Sequence, residues 1–160
     1  MWQGTVVSIN ITKAGGASIS SVEEVTAVAG RGLEGDRYFT KEGTFSNTAG
    51  TGREVTLIES EAIDAVERES GVKLEYKDAR RNIVTRGVPL NHLVDQEFRV
   101  GGVTVRGVRL CEPCNHSFPD GTVKQALIHR GGLRADILND GVIRVGDVVQ
   151  PAPAGSVAAS

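Results

Sequence analysis

The sequence predicts a mainly β fold with a few short peripheral helices, a β-barrel or a related mixed-β arrangement. Two observations predict it. Short strand-like runs alternate with turn residues, and only two or three stretches carry a helical period. Aromatic residues make up just 4% of the chain, which leaves any core to Val, Ile, Leu and Ala. A chain of 160 residues can bury most of its apolar surface without disulfides or metals. One domain is expected over residues 1–150, with a flexible, small-residue tail from Pro151 to Ser160.

The elements follow in order. Thr5-Val6-Val7-Ser8-Ile9 opens the chain as a strand, and Glu54-Val55-Thr56-Leu57-Ile58 follows as another. Between them, Thr40 to Gly52 is rich in Gly, Thr, Ser and Asn and is expected to be a long loop. Ser60 to Ser70 has Ile63 and Val66 at helical spacing, with Gly71 placed to stop a helix. Phe98 to Val105 is expected to form a hairpin turning at Gly101-Gly102. Val103 and Val105 share one parity while Val108 and Leu110 take the other, which predicts a bulge near Arg106-Gly107. Thr122, with Gln125 three residues on, is expected to cap a second helix ending at Gly131-Gly132. Asn139-Asp140-Gly141 before Val142-Ile143-Arg144-Val145 predicts a second hairpin.

Composition excludes several functions. A net charge of −2 argues against a protein that neutralises a nucleic-acid backbone, and the few aromatics argue against a base-stacking surface. No apolar run approaches the roughly 18 residues that suggest a membrane span. The N-terminus Met1-Trp2-Gln3-Gly4-Thr5 lacks the basic and apolar regions of a signal peptide. A reduced, cytoplasmic setting is expected, with neither nucleic acid nor membrane as partner. The basic residues are mostly arginine, whose fork grips carboxylate or phosphate bidentately, so a modest anion pocket is compatible with the small net charge.

Chemistry concentrates in Leu110-Cys111-Glu112-Pro113-Cys114-Asn115-His116, which holds both cysteines of the chain and one of its three histidines. Cys111 continues a strand and is expected to pack in the interior, whereas Pro113 breaks the ladder and turns Cys114 outward. Zinc would need Cys111, Cys114, His116 and His129 together, and one C-x-x-C with one close histidine is thin support. A dithiol redox pair would start a helix in a βαβ unit, which this motif does not. A nucleobase deaminase is excluded because no H-x-E is present. His116 is read as a polar loop residue. A single working thiolate, with nearby arginines holding an anionic group, stays open.

Five segments in order resemble the MOSC domain, named for the C-terminal domain of molybdenum cofactor sulfurases. They are Gly32-Leu33-Glu34-Gly35-Asp36-Arg37, Arg53-Glu54-Val55-Thr56-Leu57-Ile58, Arg80-Arg81-Asn82-Ile83-Val84-Thr85-Arg86-Gly87-Val88, Leu110-Cys111-Glu112-Pro113-Cys114, and Gly132-Leu133-Arg134-Ala135-Asp136-Ile137-Leu138 with Ile143-Arg144-Val145-Gly146-Asp147. The resemblance implies a β-barrel core that binds molybdenum cofactor, a pterin with a terminal phosphate. It implies that Cys114 ligates molybdenum or carries sulfur as a persulfide, and that Arg37, Arg80 and Asn82 contact the cofactor, with Arg53 and, more loosely, Lys13 added to the binding set. If Arg80-Arg81-Asn82 is extended, Arg80 and Asn82 share a face and Arg81 does not. The pyridoxal-phosphate domain of full sulfurases has no counterpart here, so pyridoxal phosphate is not expected.

Three functions are consistent with that resemblance. One is reduction of N-hydroxylated small molecules at Cys-ligated molybdenum, with electrons from a partner protein. Another is sulfur carriage on Cys114 from a donor protein to metal sites. The third is cofactor binding without turnover.

Overall fold

Alternating valine and isoleucine runs make the wall of a closed barrel. The computed structural model describes residues 1–14, 18–39, 53–113 and 121–153. The strands are β1 (Gly4–Ile11), β2 (Ser20–Val22), β3 (Glu24–Val28), β4 (Gly32–Leu33), β5 (Val55–Glu59), β6 (Ile83–Arg86), β7 (Glu97–Val100), β8 (Val103–Leu110), β9 (Leu133–Ile137), β10 (Gly141–Arg144) and β11 (Val148–Pro151). The helices are α1 (Ser60–Ser70) and α2 (Gly121–Ala126). Strands β11, β7, β8, β9, β5, β6 and β1 are neighbours in that order, and β11 pairs back onto β1 through Gly4–Val149 and Thr5–Val148. Closure leaves these seven strands with no open edge along the ring. The mainly β barrel read from the sequence is the observed architecture.

Alternation decides which side chains enter the barrel. Val6, Ile9, Val55, Leu57, Ile83, Phe98, Val103, Val105, Leu133, Ala135 and Val149 fill it, so its interior is a packed core and not a ligand chamber. All ladders in the ring are antiparallel except β5–β6, which α1 joins as a crossover. Helix α1 covers a second apolar cluster on the outside of the barrel, in which Ile58 and Val84 meet Ile63, Val66, Val123 and Leu127. Burying each such side chain contributes about 1.5–3 kcal/mol. The helix spans the residues that its periodicity predicts, and Gly71 closes it in the left-handed conformation at φ 77°.

The hairpin at Gly101-Gly102 forms as expected, joining β7 to β8. The register of β8 against β9 shifts between Gly107 and Arg109, so the expected bulge is present. It turns Leu110 inward opposite Leu133 after Val103 and Val105 have already pointed in.

Three local expectations are corrected. Asn139-Asp140-Gly141 is not a hairpin turn: β10 leaves the barrel and pairs with β3, in a three-stranded sheet of order β10-β3-β4. The turn side chains explain this. Asn139 accepts the Thr104 N–H at 2.7 Å, Asp140 accepts the Ala29 N–H at 2.8 Å, and both bonds tie the turn to other elements. Val25, Ala27, Leu33 and Ile143 of the small sheet join the barrel core. Thr122 lies inside α2, which begins at Gly121 and ends at Ala126, five residues before Gly131. Pro151, placed in the tail by composition, pairs with Phe98 at the end of β11. The expected loop at 40–52 lies outside the described residues, as does most of the tail. Among the described residues no helix is long and apolar enough to cross a membrane.

Candidate functional site

Strand β8 delivers the cysteine motif. Beyond Leu110 the ladder continues for one bond, from the Cys111 N–H to the Gly132 carbonyl at 2.7 Å. Cys111 is buried, as its place in the strand predicts. Pro113, with no N–H to give, stops the pairing there. Cys114 and His116 lie outside the described residues.

A buried arginine fixes this strand end. Arg81 is 6% exposed. Its Nε donates to the Gly131 carbonyl at 2.8 Å and its Nη2 to the Cys111 carbonyl at 3.1 Å. The close approach requires glycine: a Cβ on Gly131 would lie 2.6 Å from the Cys111 oxygen, and one on Gly132 would strike the Leu57 carbonyl. The following loop adds a surface tie, in which Glu112 accepts the His129 main-chain N–H at 2.8 Å. Among the described residues no group of three or more His, Cys, Asp or Glu side chains is placed to hold a metal.

Arg80 and Asn82 do not share an extended face. Arg80 ends a 3-10 turn (Tyr76–Ala79) in the left-handed conformation, at φ 57° and ψ 35°. That kink breaks the alternation on which the expectation rested, and it sends Arg81 inward. Asn82 is a buried tie rather than an open donor. Its Oδ1 accepts from Thr56 N at 3.0 Å and Thr56 Oγ1 at 3.2 Å, and its Nδ2 donates to the Asn10 carbonyl at 3.1 Å. One carboxamide thus joins β1, β5 and the entry to β6.

Above Asn82 lies the Asp36-Arg37-Tyr38 turn. Asp36 is 1% exposed and accepts the Thr12 N–H at 3.0 Å. Burial pushes its carboxyl above the ordinary value; the Thr12 N–H, Arg37, the Tyr38 N–H and Asn82 act in the opposite sense. Arg37 bonds through its main-chain N–H to the Thr12 carbonyl, and its guanidinium lies over the Tyr38 ring, 4.8 Å from its centre. Arg37, Arg80, Arg81, Asp36, Asn82 and Thr12 line one small cleft, whose floor encloses about 10 Å³, room for about one water. Lys13 follows Thr12 at the surface. The structure therefore brings Arg37, Arg80 and Asn82 to one cleft, and Lys13 is not among its lining residues.

Arg53 joins a different group. Partial burial, then the charges of Arg134 and Arg109, hold its guanidinium below the ordinary range, while Tyr38 and Cys111 act in the opposite sense. Arg109 and Arg134 face each other across the β8–β9 ladder. Sequence reading missed Arg81, Arg109 and Arg134 as site residues. Arg109 had a usable signal, since the predicted bulge puts it on the outer face.

The family model for the MOSC domain matches residues 44–150. No curated protein matches the sequence. Among solved structures, the chain is similar to the YuaD protein of Bacillus subtilis at 17% identity and a TM-score of 0.75, covering 93% of this chain and 97% of that one. It is also similar to YiiM of Geobacillus stearothermophilus at 18% identity and a TM-score of 0.67, covering 97% of this chain and 78% of that one. For YiiM of Escherichia coli the identity is 17% and the TM-score 0.62, with 95% and 70% covered. At these identities the likeness is one of fold. The family match spans most of the barrel and both helices, and the chain belongs to the MOSC domain family.

Proposed function

We propose that this protein binds molybdenum cofactor with Cys114 ligating the metal, and that it reduces N-hydroxylated small molecules with electrons from a partner protein. A cytoplasmic setting, where thiols stay reduced, suits that chemistry. The observation that carries the reading is the Arg81 clamp. A buried guanidinium holds the main chain three residues before Cys114, beside a cleft lined by Arg37 and Arg80.

The donor set fits the cofactor. Guanidinium forks suit its phosphate, and a thiolate suits a soft metal. The described part of the cleft is lined by the guanidinium groups of Arg37, Arg80 and Arg81, the amides of Asn10 and Asn82 and the buried Asp36 carboxyl. Lys13, Arg37 and Arg80 would hold the anionic part of the cofactor, and Cys114 its metal. When bound, molybdenum supplies the two-electron chemistry. The chain's own residues bind and orient: Asn82 sets the Thr56 and Asn10 segments, Asp36 anchors the Thr12 main chain, and Arg81 holds the Cys111 carbonyl. Arg53, placed with the sequence-derived binding set, stands in a second cationic group.

The test is molybdenum content after expression in a cofactor-competent host, beside Cys114→Ser and Cys111→Ser. Near-stoichiometric metal in the wild type and Cys111→Ser, lost in Cys114→Ser, is the expected result. Equal loss in both variants would overturn the packing role of Cys111. The second reading, sulfur carriage on Cys114, draws on the same cationic surroundings, which favour a thiolate. Protein without molybdenum but one sulfur heavier, and restored by reductant, would favour it.

A further inference from the structure

The Tyr38 phenol is buried in the wall of the Asp36 cleft with a proton that it gives to no described residue. The side chain is 6% exposed and lines the cleft beside Arg37, Arg80 and Asn82. Its ring lies under the Arg37 guanidinium, and its oxygen accepts from Arg37 Nη2 at 3.4 Å. Among the described residues nothing accepts from the hydroxyl in turn. A buried donor without an acceptor costs free energy, so native structures keep one where water, an ion or a ligand takes it. Arg80, in the same lining, makes no side-chain hydrogen bond or ion pair among the described residues. It holds a left-handed backbone at φ 57°, a strained conformation of the kind that clusters at ligand sites. The floor between these residues encloses about 10 Å³, the size of one water or one oxygen atom.

We propose that Tyr38 and Arg80 together hold one phosphate oxygen at the floor of this cleft, the phenol as hydrogen-bond donor and the guanidinium as donor and counter-charge. The proposal rests on reading the cleft as the cofactor site. It adds to that site a donor one residue beyond the family segment that ends at Arg37. A phosphate oxygen is close to water in size and accepts several hydrogen bonds, so it satisfies the phenol proton and the Arg80 fork at once. The Asp36 carboxyl stands in the same cleft, but its oxygens are occupied. Oδ1 accepts the Thr12 N–H at 3.0 Å, Oδ2 the Tyr38 N–H at 3.4 Å, and Asn82 adds a side-chain bond. That leaves the phenol and Arg80 with donors to spare. The phenol and Cys111 both act on the Arg53 guanidinium, so the cleft and the end of the cysteine strand are neighbours.

The probe is inorganic phosphate, titrated into cofactor-free protein and followed by near-ultraviolet tyrosine absorbance and by thermal denaturation. Of the two tyrosines in the chain, Tyr76 accepts from Arg86 at 3.2 Å and supplies the control. Wild type is expected to change its tyrosine absorbance with phosphate and to melt higher. Tyr38→Phe keeps the ring under Arg37; it is expected to lose the absorbance change and to bind phosphate roughly tenfold more weakly. Arg80→Gly, which the left-handed backbone accommodates, is expected to weaken binding by a similar factor while melting near wild type in phosphate-free buffer. Tyr76→Phe should bind phosphate as wild type does and keep the absorbance change. Unchanged binding in Tyr38→Phe, or a wild type that does not respond to phosphate, overturns the proposal. Protein loaded with cofactor is expected to show no response, because the cofactor's own phosphate fills the floor. A response that persists there overturns the assignment to the cofactor and makes a free or substrate-borne oxyanion the occupant. The cofactor-free titration needs no molybdenum, so failure of the Tyr38 contact and failure of Cys114 ligation are read separately.

Discussion

Two stretches of the same barrel wall, one pleat apart, have opposite fates. On β5, Ile58 points outward under α1, and its partner on β6 is Val84. Thr56 has the same outward parity, yet it bonds to Asn82, lines one cleft with Asp36 and Tyr38, and pairs with Arg134. The apolar half is sealed mainly by the Ala62, Ile63, Ala65 and Val66 side chains of a helix. The polar half is sealed by a buried carboxylate, a carboxamide and guanidinium groups, each of which needs a partner when removed from water. The difference teaches that the barrel is a frame: one outer flank stabilises it and the other spends stability on placing charges.

Substitutions can break that comparison. Ile58→Ala, at a fully buried site under α1, should cost about 2–5 kcal/mol in chemical denaturation and leave molybdenum content per folded protein unchanged. Loss of metal there would show that the two flanks are not independent. Arg81→Met keeps bulk but leaves the Gly131 and Cys111 carbonyls without their donor. It should cost about 1–3 kcal/mol and also release molybdenum from the folded fraction. Full retention of metal would reduce Arg81 to a packing role.

Asp36→Asn has a smaller effect, with a sign set by pH. The folded protein binds the Asp36 proton more tightly than the unfolded chain does, because burial raises the carboxyl above its ordinary value of 3.8. The stability linked to that proton is complete below the unfolded value and is lost as pH rises through the raised folded value. The carboxylate therefore weighs against wild type at neutral pH. Asp36→Asn should gain on wild type as pH increases from 3 to 7, in denaturation midpoints taken across that range. A gap that narrows with rising pH would mean that the Thr12 and Arg37 contacts outweigh burial.

Much of the frame was legible in the sequence because local rules wrote it. Helix α1 followed from Ile63, Val66 and Gly71, and the bulge followed from the parity change between Val105 and Leu110. The site was less legible. The Arg80-Arg81-Asn82 reading assumed an extended backbone, but the 3-10 turn before it puts Arg80 in the left-handed region. The turn at Asn139-Asp140 was read as a hairpin because its residue types favour one; its side chains instead bond to Thr104 and Ala29.

By itself the sequence determined the class of fold, the helix under which Ile58 and Val84 are buried, the β7–β8 hairpin, the bulge and the five family segments. These depend on periodicity and backbone preference, which act over a few neighbouring residues. Only the tertiary structure decided that β11 closes onto β1, that β10 joins β3, that Arg81 is the buried clamp, and that Arg53, Arg109 and Arg134 stand together. Each of those depends on which distant strands share a ladder and in what register. A shift of one residue would turn every one of these side chains to the other face.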